Sequence, residues 1–99
     1  METRLSNSQL RHLKALAQRL DPLVRLGRQG VSEAWLRSLN EALEQHELVK
    51  VKFDEFKDQK KELAPQLAAQ TASHLVMRVG NVVVLYRQQP DPARRKITF

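Results

Sequence analysis

The chain contains no cysteine. That excludes disulfides and thiolate metal sites, and it suits a reducing compartment, so a cytoplasmic location is expected. Long apolar runs are also missing. None approaches the ~18 residues of a membrane span, and the N-terminus lacks the apolar stretch of a signal peptide. No membrane partner is expected, and nothing in the composition calls for a cofactor. Glycine is scarce, at three residues. Acidic residues fall short as well: eleven Asp and Glu face seventeen Lys and Arg, leaving a net charge of +6. Such an excess favours a polyanionic partner.

What is present is enough for one modest core. The chain has 99 residues and is 41% hydrophobic, the scale of a single domain. Its charge is uneven. Residues 1–40 and 63–99 each carry a net +4, and residues 41–62 carry −2. A one-sided basic surface follows from that layout.

Residues 1–5 read as a frayed end. Ser6-x-x-Gln9 reads as a capping box before a first helix. Its apolar stripe is Leu10, Leu13, Leu16, Ala17 and Leu20, and Asp21-Pro22 stops it. Leu23–Leu26 reads as a short strand. Ser32 is the expected cap of a second helix running to about Gln45, with Val31 and Leu36 at staple spacing. Leu48–Phe53 alternates as a half-buried strand. A third helix follows with the stripe Leu63, Leu67, Ala68 and Thr71, with Asp58 as a possible cap. Pro65 predicts a kink, or a regular part that begins near it.

Leu75, Met77 and Val79 alternate, Gly80-Asn81 signals a hairpin, and Val82–Arg87 is apolar on both faces, as an inner strand is. Residues 88–99 read as an extended basic tail beyond a core of about 6–87. The predicted fold is α/β, of α+β-like character. It is one compact domain in the order α-β-α-β-α-β-β, with a four-stranded mixed sheet and three helices.

Two of the three glycines stand three apart in Gly27-Arg28-Gln29-Gly30, between a strand end and a helix start. Unpartnered amides at a helix start attract anions. Glycine lets a ligand's backbone approach, and Arg28 offers a fork suited to phosphate. The loops that clamp nucleic-acid backbones in KH domains follow the same logic. A tight turn with no ligand is the competing reading of the motif alone.

Strand alternation adds a second candidate surface. If Val49, Val51 and Phe53 face the core, Lys50 and Lys52 face away. The same period sends Arg25 and Arg78 outward. Arg87, which shares its face with Val83 and Leu85, completes the set if that face is outward too, and Arg11 and Lys14 on the first helix extend the surface. Register is not fixed by sequence, and a one-residue slip would flip a strand.

Other residues carry weaker signals. His12, His46 and His74 lie on different elements without metal-ligand spacing. Glu41, Glu44 and Glu47 have helical spacing and read as a solvated face. Trp35 and Tyr86 are either base-stacking platforms or core aromatics. Arg94-Arg95-Lys96 reads equally as an RNA-binding tail or a solubilising end. No clustered acid and base groups are visible, so no enzyme is expected.

The pieces Leu13–Leu20 before Pro22, Leu26-Gly27-x-x-Gly30-Val31, His46-Glu47-Leu48-Val49-Lys50-Val51, and Gly80 followed by Val84-Leu85-Tyr86-Arg87 together resemble the CRM domain (chloroplast RNA splicing and ribosome maturation) in its stand-alone bacterial form. The resemblance covers roughly residues 6–87. It implies a fold similar to the C-terminal domain of initiation factor three. It further implies RNA binding through a GxxG loop mapped onto Gly27–Gly30, and association with ribosomal RNA of precursor large subunits, by a monomer. Pro65 and Arg28 depart from the family pattern. The alternative is a non-catalytic adaptor whose basic face meets an acidic protein.

Overall fold

A computed structural model describes residues 4–99. Of the expected frayed end, residues 1–3 lie outside the described residues, and Leu5 is half-buried beside the first helix. The elements are α1 (Asn7–Ala17), β1 (Val24–Leu26), α2 (Glu33–His46), β2 (Leu48–Phe53), α3 (Lys60–Gln70), β3 (His74–Val79) and β4 (Val82–Tyr86). Single 3₁₀ turns occupy Lys57–Gln59 and Pro92–Arg94.

The α1 start is a complete capping box. Ser6 Oγ accepts the Gln9 amide at 3.1 Å, and Gln9 Oε1 accepts the Ser6 amide at 2.9 Å. The helix ends before Asp21-Pro22. Its last turns tighten through amide bonds from Arg19 to Leu16 and from Leu20 to Ala17. Leu20, expected on the stripe, lies past the helix and is exposed. Ser32 caps α2 by accepting the Trp35 amide at 3.1 Å.

The sheet order is β1-β2-β4-β3. β1 and β2 are parallel, and β4 runs antiparallel to both β2 and β3. β4 is therefore internal and buries alternate residues on both faces. Val83 and Leu85 join Val24, Leu26, Val49, Val51 and Phe53 under α2 and α3. Val84 and Tyr86 join Leu48 and Val76 under Leu13 and Ala17 of α1. α1 thus covers one face, and α2 with α3 the other.

β3 departs from simple alternation. Leu75 pairs with Leu85 and Met77 pairs with Val84, with a register shift between them. That bulge places Val76 and Met77 both on the α1 side. Leu75 falls on the opposite side from Met77 and is exposed.

α3 runs unbroken across Pro65, and its regular part starts at Lys60 rather than near the proline. Lys61 and Pro65 are both exposed, so water can meet the carbonyl that proline leaves without its usual partner. Asp58 does not cap α3. It lies in the 3₁₀ turn, and Gln59 at the cap position makes no side-chain bond. α3 ends in a Schellman arrangement, with the Ser73 amide on Ala68 O at 2.9 Å and the Ala72 amide on Ala69 O at 3.3 Å. Ala72 takes the left-handed position at φ 49°.

Glu47 ends α2 in a left-handed conformation, φ 63°, and is 1% exposed. Its carboxylate accepts the amides of Gln89, Lys96 and Ile97 at 2.8, 2.7 and 2.9 Å. Residues 88–99 are thereby held as a strap against the domain. Gln89 is buried, and Ile97 packs in the α1 cluster.

Two stability outcomes follow. Leu85→Ala should cost about 2–5 kcal/mol in urea unfolding, and Leu75→Ala, its exposed cross-strand partner, under about 1.5 kcal/mol. Ala72→Gly should stabilise by about 0.5–1 kcal/mol, because glycine relieves the left-handed strain at that cap.

Candidate functional site

Gly27–Gly30 form a closed turn between β1 and α2. The Gly30 amide donates to Gly27 O at 3.0 Å, and the Ser32 amide to Gly30 O at 3.1 Å. The two glycines differ. Gly30 has φ +70°, and a Cβ there would sit 3.4 Å from the Phe56 ring. Gly27 is not left-handed, and a Cβ there would meet nothing within 4 Å. The fold requires glycine at residue 30 and makes no such demand at residue 27.

The loop and the first turns of α2 line an open cleft of about 330 Å³, with Gly27, Arg28, Gln29, Gly30, Trp35 and Ser38 on its walls. The amides of Glu33 and Ala34 precede the capped Trp35 amide and have no partner among the described residues. Arg28 is exposed and makes no hydrogen bond or ion pair among the described residues. An oxyanion in this cleft would meet the positive end of α2 and a free guanidinium.

Trp35 is partly buried against the main core, and its Nε1 donates to Arg25 O at 2.7 Å. It forms a fixed wall of the cleft. Phe56 carries no signal in the sequence, because an isolated phenylalanine in a polar turn has no periodicity. It is left-handed at φ 58° and lies against Gly30.

The sheet-face surface is corrected by register. Arg25 pairs with Lys52, Lys50 with Val84 and Lys52 with Val82, so these three cations share the α1 side. Arg78 pairs with Val83 of the main core and lies on the opposite side. The bulge in β3 is the cause, since it breaks the alternation from which Arg78 was placed. Arg87 is not an outward cation either. It bonds Asn40 Oδ1 at 2.8 Å, Asn40 O at 2.9 Å and Thr71 O at 2.7 Å, tying α2 to the end of α3.

Two of the remaining three cations have internal partners. Arg25 pairs with Asp54 at 3.0 Å, an acid just past β2. Lys50 Nζ donates to Leu20 O at 3.0 Å. Lys52 is half-buried without a bonded partner among the described residues, and Arg11 and Lys14 are exposed on α1.

Glu47 leaves the solvated face on which its spacing placed it, whereas Glu41 and Glu44 stay exposed. His12 meets the Phe99 ring at 5.7 Å, and His74 stacks on Tyr86 at 6.3 Å. Tyr86 is core rather than platform, being 2% exposed. Its hydroxyl has no partner among the described residues, and burial, then the nearby Glu47 charge, push its pKa above the usual value against a lowering by Arg95. Among the described residues, no group of three or more His, Cys, Asp and Glu is placed to hold a metal, and no helix is long and apolar enough to cross a membrane.

A strand-to-helix glycine loop on this mixed sheet, with an arginine at its tip and a capped helix behind it, defines a small α/β domain. The family model of the CRS1 / YhbY (CRM) domain matches residues 5–87, and the chain belongs to that family. It is 38% identical over 90 residues to an "RNA-binding protein" of Haemophilus influenzae, covering 90% of this chain and 91% of that one. It is 33% identical over 88 residues to the "Probable RNA-binding protein YqeI" of Bacillus subtilis, covering 88% and 92%. The solution structure of a Staphylococcus aureus protein superposes with TM-score 0.76 at 34% identity, covering 96% of this chain and all of that one.

The asymmetry of the glycines gives a direct check. Gly30→Val should lose about 1–3 kcal/mol of stability, and Gly27→Ala should stay within about 0.5 kcal/mol of the parent in urea unfolding.

Proposed function

We propose that this domain binds RNA without catalysing a reaction on it, and that Gly27–Gly30 receives a backbone phosphate. One observation carries the reading: Gly27 stands in open space beside helix amides and an Arg28 that have no partner among the described residues. A position that the fold leaves free of steric demand, beside donors aimed outward, suits close approach of a sugar–phosphate backbone. The relatives named for RNA binding, each matched along most of its length, support the same partner.

Arg28 supplies the charge-assisted contact, the Glu33 and Ala34 amides supply neutral donors, and Gln29 lies beside them. Lys52, Arg11 and Lys14 are further candidate phosphate contacts on the α1 side. Arg25 and Lys50 contribute there only in competition with Asp54 and Leu20 O. Arg78 lies across the sheet from them, and Arg87 holds the helices together. Phosphate contacts carry little sequence information, so binding should tolerate many sequences.

The family resemblance extends this to ribosomal RNA in precursors of the large subunit, bound by a cytoplasmic monomer during assembly. Sedimentation of a bacterial lysate through a gradient tests it: the protein should travel with large-subunit precursor fractions, and recovery only at the top would refute the ribosomal part. For the loop, Arg28→Ala should weaken RNA binding and reduce the salt dependence by about one phosphate contact. Gly27→Val, folded but with a filled approach, should weaken binding several-fold. Unchanged affinity and slope in both folded variants would overturn the loop assignment.

A further inference from the structure

The C-terminal strap is built with more care than a solubilising end needs. A buried carboxylate is costly unless its oxygens are fully engaged. Glu47 engages both: Oε2 takes the Gln89 amide, and Oε1 takes the amides of Lys96 and Ile97. Gln89 Nε2 also donates to Glu44 O at 3.0 Å. Both ends of the segment 89–97 are thereby fastened to the end of α2.

Between the two anchors the chain makes the 3₁₀ turn Pro92–Arg94, which Asp91 caps by accepting the Ala93 amide at 3.0 Å. Arg95 Nε donates to Gln89 O at 2.8 Å and braces the turn from within. That leaves the side chains of Arg94 and Lys96 exposed and without bonded partners among the described residues. Residues 88–99 hold three cations and one acid, and that acid is engaged as the cap. Beyond Ile97 the strap meets α1, where Phe99 lies edge-on to His12, the residue after Arg11. Exposed Glu44 meets the strap through its backbone carbonyl, which accepts Gln89 Nε2.

We propose that this fastened basic turn is a second RNA-backbone contact, made by Arg94 and Lys96. The proposal rests on the RNA-binding reading of the loop. The glycine loop stands at the N-terminal end of α2 and the strap at its C-terminal end. With 14 residues, α2 separates them by about 21 Å. One RNA strand would therefore meet the domain at two points, and a ligand too short to reach both would meet only one. Fixing the turn beforehand lowers the ordering cost of holding two long cationic side chains against a flexible polyanion.

The test measures binding of oligouridylates of about 3 and about 16 nucleotides by fluorescence anisotropy across a salt series. In Arg94→Ala/Lys96→Ala, binding of the long probe should weaken about tenfold and its slope fall by roughly 1.4, the value for two single-strand phosphate contacts. The short probe should be unaffected. Glu47→Gln places an amide N–H₂ against the strap's own N–H donors and should free the turn, weakening the long probe alone with every cation retained. Amide exchange at Gln89, Lys96 and Ile97 checks the release in a folded protein.

If the double variant binds the long probe like the parent while Arg28→Ala still loses affinity, the strap proposal falls and the loop reading stands. If the strap variant loses affinity and Arg28→Ala does not, the loop reading falls and the strap remains an RNA contact. Polyglutamate displacing the long probe as effectively as unlabelled RNA of equal charge would overturn the proposal in favour of an acidic-protein surface.

Discussion

The two-sided burial of β4 governs the architecture. Val83 and Leu85 on one face and Val84 and Tyr86 on the other are all removed from water. A strand with no solvated face must lie inside a sheet and needs a layer on each side of it. α2 and α3 close one side, and α1 closes the other. This second layer decides the fate of the strand cations. Arg25, Lys50 and Lys52 share the side that α1 partly covers, so they lie at its margin and two of them turn to nearby oxygens. Among the described residues, cations without side-chain partners remain near both ends of α2, in Arg28, Arg94 and Lys96, and on the α1 side, in Arg11, Lys14 and Lys52.

Backbone strain gathers where helical segments begin or end. Among the described residues, three other than glycine have positive φ: Glu47, Phe56 and Ala72. Glu47 and Ala72 terminate helices, where glycine is the usual choice. A side chain is kept at residue 47 because its carboxylate engages three amides, an interaction glycine lacks. Phe56 keeps its ring against Gly30, so the strained residue packs on the loop that the glycine turns. At Ala72 nothing in the structure explains the preference over glycine.

Legibility in the sequence followed the range of the interactions. The capping box at Ser6, the Ser32 cap, the β2 alternation and the internal placement of β4 rest on near neighbours or on strict period, and all could be read directly. So could the glycine loop, whose strand and helix are adjacent in the chain. The bulge between Leu75 and Met77 could not, because an extra residue in an apolar run leaves the composition unchanged while reversing every later side chain. Arg78 was misplaced for that reason. Arg87 and Glu47 were misread as solvent-facing charges because their partners, Asn40 and Thr71 for one and the strap amides for the other, are distant in sequence. Pro65 announced a lost hydrogen bond correctly, and the helix absorbs that loss on its wet side.

The irregularity in β3 also bears on what the molecule avoids. β3 is a sheet edge carrying exposed Leu75 and Val79, the kind of strand that invites another chain to pair with it. The bulge breaks the even ladder of donors and acceptors that a newcomer would need, and Arg78 places a charge on the same stretch. An irregular, charged margin of this kind disfavours edge-to-edge pairing between copies of the chain.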